Sequence, residues 1–249
     1  MRQSASLARE YGVFLHTHLA ETQDEEVFCK QKFGYRPVKY MEVLNWVGPD
    51  VWFAHSVYVN QEEMDVYQKT GCGVAHCPSS NMRLASGIAP IMELLTKGIK
   101  VGIGVDGSAS NDSSNLLEEA RQALLASRVR AGILGASLSN TDNKEKALMT
   151  ARQVLRIATR GGAEVLGRKD IGSLEIGKCA DFFAIKLDHL EYAGALHDPL
   201  AALVFCSPVR ADYTVVGGNM IVKEGQMTSV DLPSQIAKHN QAATRLMNA

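Results

Sequence analysis

Four times within its first 106 residues the chain runs a short stretch of strand-forming residues and ends it on a side chain able to bind a metal or move a proton. Gly12-Val13-Phe14-Leu15 leads into His16-Thr17-His18, with Glu21 three residues further on. Val51-Trp52-Phe53-Ala54 ends at His55, Gly73-Val74-Ala75 at His76, and Lys100-Val101-Gly102-Ile103-Gly104-Val105 at Asp106. Helical text fills the intervals. Residues 1–11 read as a helix feeding the first strand, and 22–46 as a helical crossover broken near Gly34-Tyr35-Arg36-Pro37. Asn60 caps a helix over 60–69, Cys77-Pro78-Ser79-Ser80-Asn81 reads as a loop of turn formers, Pro90 opens a further helix, and 115–130 is a long amphipathic one.

Strands that alternate with helices in this way lie parallel in one α/β sheet. Two architectures share the pattern: a (β/α) barrel, which collects its active site from the C-terminal ends of several strands, and a doubly wound open sheet. No glycine-rich phosphate turn follows any of the four strands, which counts against a dinucleotide-binding open sheet. From 151 to 166 the pattern is helical and stops at Gly167, after which the texture changes. The stretch 172–185 reads as a turn and a strand, 209–225 as a hairpin bending at Gly217-Gly218-Asn219, and a polar helix follows Pro233. The expected division is therefore 1–166, carrying the chemistry, and 167–249, carrying antiparallel strands and a terminal helix.

Composition narrows the partners. With 26 basic and 27 acidic residues and a net charge of −1, the chain has no dedicated surface for nucleic acid or for a membrane, and a small-molecule ligand fits better. No apolar run approaches the ~20 residues of a spanning helix. The five cysteines are scattered without a Cys-x-x-Cys pair, which points to free thiols in a reducing cytoplasm, with Cys72 and Cys77 read as packed rather than ligating. Whether subunits pair as a homodimer is left open.

Taken singly, a strand-end histidine is an ordinary hydrogen-bonded residue, and an aspartate before glycine an ordinary turn former. Together, His18, Glu21, His55, His76 and Asp106 offer what hydrolysis at a metal needs: nitrogen and oxygen ligands, and a group that takes up and returns a proton.

Four segments resemble the second half of the deaminases of the amidohydrolase superfamily: His18-Leu19-Ala20-Glu21-Thr22, Ala54-His55, His76-Cys77-Pro78-Ser79-Ser80-Asn81 and Gly104-Val105-Asp106-Gly107-Ser108-Ala109-Ser110-Asn111-Asp112. Within that superfamily, residues 76–87 and Cys206-Ser207-Pro208-Val209-Arg210-Ala211-Asp212 are most similar to the 8-oxoguanine deaminase and hydroxyatrazine hydrolase group. The resemblance implies the second half of a metal-dependent hydrolase (β/α)8 (TIM) barrel, strands five to eight, with part of a small β-sandwich domain. It implies one divalent metal, zinc or alternatively iron, held by His18 and Asp106. Glu21 then carries a proton to a ring nitrogen, His55 hydrogen-bonds the attacking water, and Asp106 takes that water's proton and returns it to the leaving amine. His76 and His16 have no catalytic role in the pattern, and Ser79, Asn81 and Asn111 are loop candidates for contact with the ring. The implied reaction is hydrolytic deamination of a purine-like or related N-heteroaromatic ring, with hydrolysis of triazine, amide or carbon–halogen bonds as the alternative on the same scaffold. A non-catalytic assembly module is the rival of a different class.

The resemblance also implies a first barrel strand ending in His-x-His, and no such strand precedes residue 12. His16-Thr17-His18 has that spelling, but the Leu-Ala-Glu after it and its place ahead of His55 match strand five. The chain is thus expected to correspond to part of a larger parent, with Met1 internal to it. On that expectation these 249 residues alone bind zinc weakly, through two protein ligands, and turn over little substrate. Zinc stoichiometry and ammonia release measured on this chain test it; tight equimolar zinc with full turnover would show that the strands have been misassigned.

Overall fold

The strand-forming runs pair as their order suggests. In a computed structural model, which describes residues 1–135, 148–206 and 210–248, β1 (Leu15–Leu19), β2 (Val51–His55), β3 (Gly73–His76) and β4 (Lys100–Ile103) form one sheet in the order β1-β2-β3-β4. All three pairings are parallel, with His18 beside Ala54 and His76 beside Ile103. The direction of strand addition never reverses, so these strands contain no switch point of the doubly wound kind. They follow one another as successive units of a (β/α) barrel wall do.

Helices α1 (Arg2–Glu10), α2 (Gln23–Phe33), α3 (Pro37–Val43), α4 (Gln61–Thr70), α5 (Pro78–Arg83) and α6 (Ile91–Thr96) precede and link the strands, and α7 (Leu116–Ile133) follows β4. Their limits are set locally. The Thr22 hydroxyl accepts the Glu25 amide, Asn60 and Glu63 form a capping box, and Gly34 and Gly71 end α2 and α4 in the left-handed region. One sheet face (Leu15, Val51, Phe53, Val74, Val101) packs against Val38, Met41, Tyr67, Leu94 and Leu124 in a single buried cluster. Each such side chain contributes about 1.5–3 kcal/mol on burial. The other face carries His16, His18, Trp52, Ala54, Ala75 and Gly102, and the site belongs to this side and to the strand ends above it.

The loop expected over 77–81 is instead the start of α5. Pro78 occupies the first turn, where its missing N–H is no loss, and the turn-forming side chains of Ser80 and Asn81 bond to distant residues rather than to their own backbone. The helix expected over 151–166 is present as α8 (Ala151–Arg156), which passes through a π-helical turn (Ile157–Gly161) into Gly162–Val165. A Cβ on Gly161 would lie 2.1 Å from the Val101 carbonyl oxygen, so the paired glycines let this turn rest directly on β4.

A second sheet, antiparallel, takes the order β5 (Phe182–Ala184), β6 (Tyr213–Val216), β7 (Asn219–Lys223), β8 (Gln226–Met227). The β6–β7 bend falls at Gly217-Gly218, both with positive φ, as the hairpin pattern predicts. A helix unforeseen from sequence, α9 (Pro199–Phe205), is capped by Asp198, and α10 (Leu232–Met247) is the expected terminal helix. Ser207, Pro208 and Val209, part of the motif beginning at Cys206, lie outside the described residues. No helix among the described residues is long and apolar enough to cross a membrane.

Gly161→Ala and Gly132→Ala place the same methyl group in two helical settings and should shift stability in opposite directions. Gly161→Ala forces β4 and the π turn apart and should lose about 1–3 kcal/mol. Gly132→Ala, with open space around its Cβ, should gain about 0.5–1 kcal/mol from helix propensity. Urea unfolding midpoints decide it; equal shifts would mean that the π turn does not rest on β4 as described.

Candidate active site

Each expected site residue sits at or just beyond a strand end, and each is fixed by its neighbours. His18 is the penultimate residue of β1, its side chain 54% exposed. Glu21 follows Ala20, whose φ of 52° turns the chain back toward the site. Glu25, in the first turn of α2, accepts the amides of Ala20 and Glu21 at 2.9 and 2.8 Å and holds that turn in place. His55 ends β2, fully buried, with φ 70°. Asp106 lies three residues past β4 with φ 64°. The left-handed conformation costs a non-glycine residue about 1–3 kcal/mol and persists only where surrounding contacts enforce it.

The four side chains converge. His55 Nε2 lies 3.2 Å from His18 Nδ1, 3.6 Å from Glu21 Oε2 and 3.8 Å from Asp106 Oδ2, and His18 Nε2 lies 3.8 Å from Asp106 Oδ1. The two 3.8 Å separations exceed hydrogen-bond length. Donors about 2.1 Å from a shared tetrahedral cation lie about 3.4 Å apart, so the His18–Asp106 separation is within a few tenths of an ångström of what a common ion needs. His18, Glu21 and His55 also offer donor atoms that all lie within 4.8 Å of one another. Nitrogen and carboxylate oxygen suit zinc, so the donor set fits a metal, and His18 belongs to both possible groupings.

Polar neighbours hold this cluster from behind. Asn81 Oδ1 lies 2.8 Å from His55 Nδ1. The hydroxyls of Ser80 and Ser110 donate to Asp106 Oδ2 at 2.6 and 3.1 Å, and the Ser86 hydroxyl donates to Glu21 Oε1 at 3.3 Å. Burial pushes the Asp106 carboxyl up, but the bonds from Ser80, the Gly107 amide and Ser110, with His55 close by, outweigh it and hold the group below the usual carboxylate range. Deeper still, the fully buried Glu119 accepts the Ser79 amide and the Asn111 side-chain amide, and Asn111 also donates to the Val105 carbonyl. Burial raises the Glu119 carboxyl despite those bonds.

The ring-contact candidates are therefore placed differently from expectation. Asn81 and Asn111 are buried and spend their side chains inside the protein, and Ser79 meets Glu119 through its backbone. Ser80, Ser86, Ser110, Glu25 and Glu119 escaped the sequence reading; only Ser80, set in a run of buried residues after β3, carried a signal of this kind. His16 stacks on Trp52, ring centroids 3.5 Å apart, as a packed residue does. His76 is buried, its Nδ1 unpartnered.

The amidohydrolase family profile matches residues 1–221. The chain belongs to the amidohydrolase family. It is 49% identical over 247 residues to an 8-oxoguanine deaminase of Pseudomonas aeruginosa, an alignment covering 99% of this chain and 52% of that protein. Among solved structures, a zinc-bound adenosine deaminase from Xanthomonas campestris superposes with a TM-score of 0.91 at 28% identity, covering 100% of this chain and 54% of that one. An atrazine chlorohydrolase from Arthrobacter aurescens complexed with zinc superposes at 0.85 with 36% identity, covering 95% and 50%. The chain thus spans about half the length of the amidohydrolases it matches, and its α/β architecture is theirs over that half.

Burial, with His55 beside it, lowers the pKa of His76 from 6.5 to about 3. The unfolded chain therefore binds more protons than the folded one across that window, and stability falls as pH drops through it. Urea midpoints taken between about pH 7 and 4.5 should decline, and His76→Gln should flatten the decline. An unchanged slope would mean that folded His76 accepts a proton after all.

Proposed function

We propose that this chain carries a catalytic centre for metal-dependent hydrolytic deamination of a purine-like or related N-heteroaromatic ring, such as 8-oxoguanine, with release of ammonia. The observation that carries the reading is the convergence of His18, Glu21, His55 and Asp106 from three strand ends, in a family whose members similar to this chain include deaminases. His18 and Asp106 are the residues that would hold zinc, or iron, and residues 1–166 form the unit that carries them. When bound, the metal supplies a Lewis acid that brings the pKa of a water toward neutrality.

The chain's own groups do the rest. Asp106 takes a proton from the attacking water while His55 Nε2, turned into the site, hydrogen-bonds that water. Water adds its oxygen to the amino-bearing ring carbon, and Glu21 donates a proton to the adjacent ring nitrogen, which grows basic as aromaticity is lost. Asp106 returns its proton to the amino group, the carbon–nitrogen bond breaks, and ammonia leaves; the hydroxyl on the ring carbon becomes a carbonyl and its proton passes to Glu21, which restores the proton that Glu21 gave to the ring nitrogen. Proton transfer of this kind is worth about a hundred- to ten-thousandfold in rate. A cavity of about 220 Å³ beside His18 and Asp106, walled in part by Trp52, Ala54 and Ile103, gives a flat apolar ring a surface to lie on. Five free cysteines support a reducing compartment, the cytoplasm.

The likeness to an atrazine chlorohydrolase favours one second reading, in which chloride leaves a triazine ring from the same centre. Chloride needs no proton to depart, so that reaction makes no demand on a returned proton from Asp106.

In the intact protein, tested against a panel of purine, pterin and triazine rings, Glu21→Gln should lower ammonia release at least about a hundredfold with zinc retained. His18→Ala and Asp106→Ala should lose zinc as well as activity. Wild-type turnover in Glu21→Gln would remove the proton carrier from the scheme, and chloride release without ammonia release would favour the second reading.

A further inference from the structure

Each of the three side chains assigned to proton handling has two heteroatoms, and in each a neighbour behind the cluster engages one of them, leaving the other toward the centre. For Glu21 it is Oε2, 3.6 Å from His55, because Oε1 is taken by the Ser86 hydroxyl. For His55 it is Nε2, because Nδ1 is taken by Asn81. For Asp106 it is Oδ1, 3.8 Å from His18, while Oδ2, itself 3.8 Å from His55, receives the hydroxyls of Ser80 and Ser110.

Three of those partners, Ser80, Asn81 and Ser86, belong to one seven-residue stretch, and all three are buried. The stretch is itself braced. Its first residues lie in α5, the Ser86 amide donates to the Asn81 carbonyl at 2.8 Å, and Ala85 takes a left-handed φ of 55° that closes the turn. Gly87 follows at φ 122°, where an added Cβ would meet Val57 and the Tyr58 hydroxyl.

We propose that residues 80–86 are a positioning clamp: by binding one heteroatom each of Glu21, His55 and Asp106, the segment selects which atom of each faces the reaction. The residues are positioning residues, since none reaches the centre itself. At His55 the clamp also decides the tautomer. The Asn81 amide oxygen accepts a hydrogen bond, so Nδ1 carries the proton and Nε2 presents its lone pair. At Glu21 the Ser86 bond stops the carboxylate from turning end over end, so that one oxygen is always the one presented. The catalytic meaning of these orientations rests on the deaminase reading; the contacts do not.

Two measurements on the intact protein test the clamp separately from that reading. Nitrogen-15 NMR of the histidine rings reads the tautomer directly. Wild type should show His55 protonated at Nδ1, Asn81→Ala should lose that preference, and Asn81→Asp, whose side chain can only accept, should keep it. A wild-type ring protonated at Nε2 instead would mean that the Asn81 amide faces the other way, and would overturn the selection at His55.

Kinetics read the other arm. Ser86→Ala should lower kcat for ammonia release about 10- to 100-fold with KM moved less than about threefold and zinc content unchanged. Ser86→Thr, which restores the hydroxyl, should recover most of the loss. Unchanged kcat in Ser86→Ala, or equal damage in both variants with loss of zinc, would assign Ser86 to packing alone and overturn the clamp at Glu21. A protein that releases ammonia from no ring yet shows the Nδ1 tautomer and its dependence on Asn81 would defeat the deaminase reading and leave the clamp standing.

Discussion

Parallel pairing in sequence order is the constraint on which the rest depends. It sends every strand of the first sheet out of the same edge, so residues as far apart in the chain as His18 and Asp106 come to face each other. No local propensity could achieve this. The apolar face made by Leu15, Val51, Phe53, Val74 and Val101 fixes the register, since a slip of one residue would turn that face toward solvent and carry His18 to the wrong side. The same burial that stabilises the sheet therefore also places the chemistry.

The polar residues behind the cluster follow from that placement. Groups such as His55, Glu119 and Asn111 are taken out of water by the packing around them, and each then needs a partner inside the protein. The result is a chain of bonds from Glu119 through Asn111 to the Val105 carbonyl, next to Asp106, and from Glu119 to the Ser79 amide, next to Ser80. A network of this kind, satisfied in the interior, rigidifies what it touches. It ties the loop after β4 to the start of α5, the two segments that meet at Asp106.

The strands, their parallel sense and the strand-end residues were legible in the sequence because they rest on repetition: a short β-forming run closed by a polar residue, found again and again. The resemblance of whole motifs then assigned His18, Glu21, His55 and Asp106 to one centre, and the structure brings those four together. What stayed hidden depends on distance in space. Ser80 and Asn81 are written among turn formers and read as a loop; they fold as a helix because their side chains find Asp106 and His55 rather than their own backbone. The π turn was equally unreadable, since Gly161-Gly162 announces a weak helix and only contact with Val101 shows why glycine is needed there. Asn111 looked like a ligand contact for the same reason that it is a structural one: a polar side chain in a loop says that it bonds, not to what.

Backbone strain is concentrated where this centre needs it. Ala20, His55 and Asp106, the residues that precede or carry its functional side chains, all take positive φ without being glycine. Left alone, each would relax into the ordinary strand or helix region and swing its side chain out of the cluster. Each is instead held by side-chain bonds, near in sequence or far: Glu25 on the amides of Ala20 and Glu21, Asn81 on the His55 ring, Ser80 and Ser110 on the Asp106 carboxylate. Hydrogen bonds to charged groups contribute about 1.5–3 kcal/mol, the same order as the strain at one such residue. The balance is close at each position. Loss of one neutral hydroxyl or amide behind the cluster is therefore of the same size as the strain it offsets, so the orientation of His55 and Asp106 depends on residues that bring no acid, base or metal donor of their own.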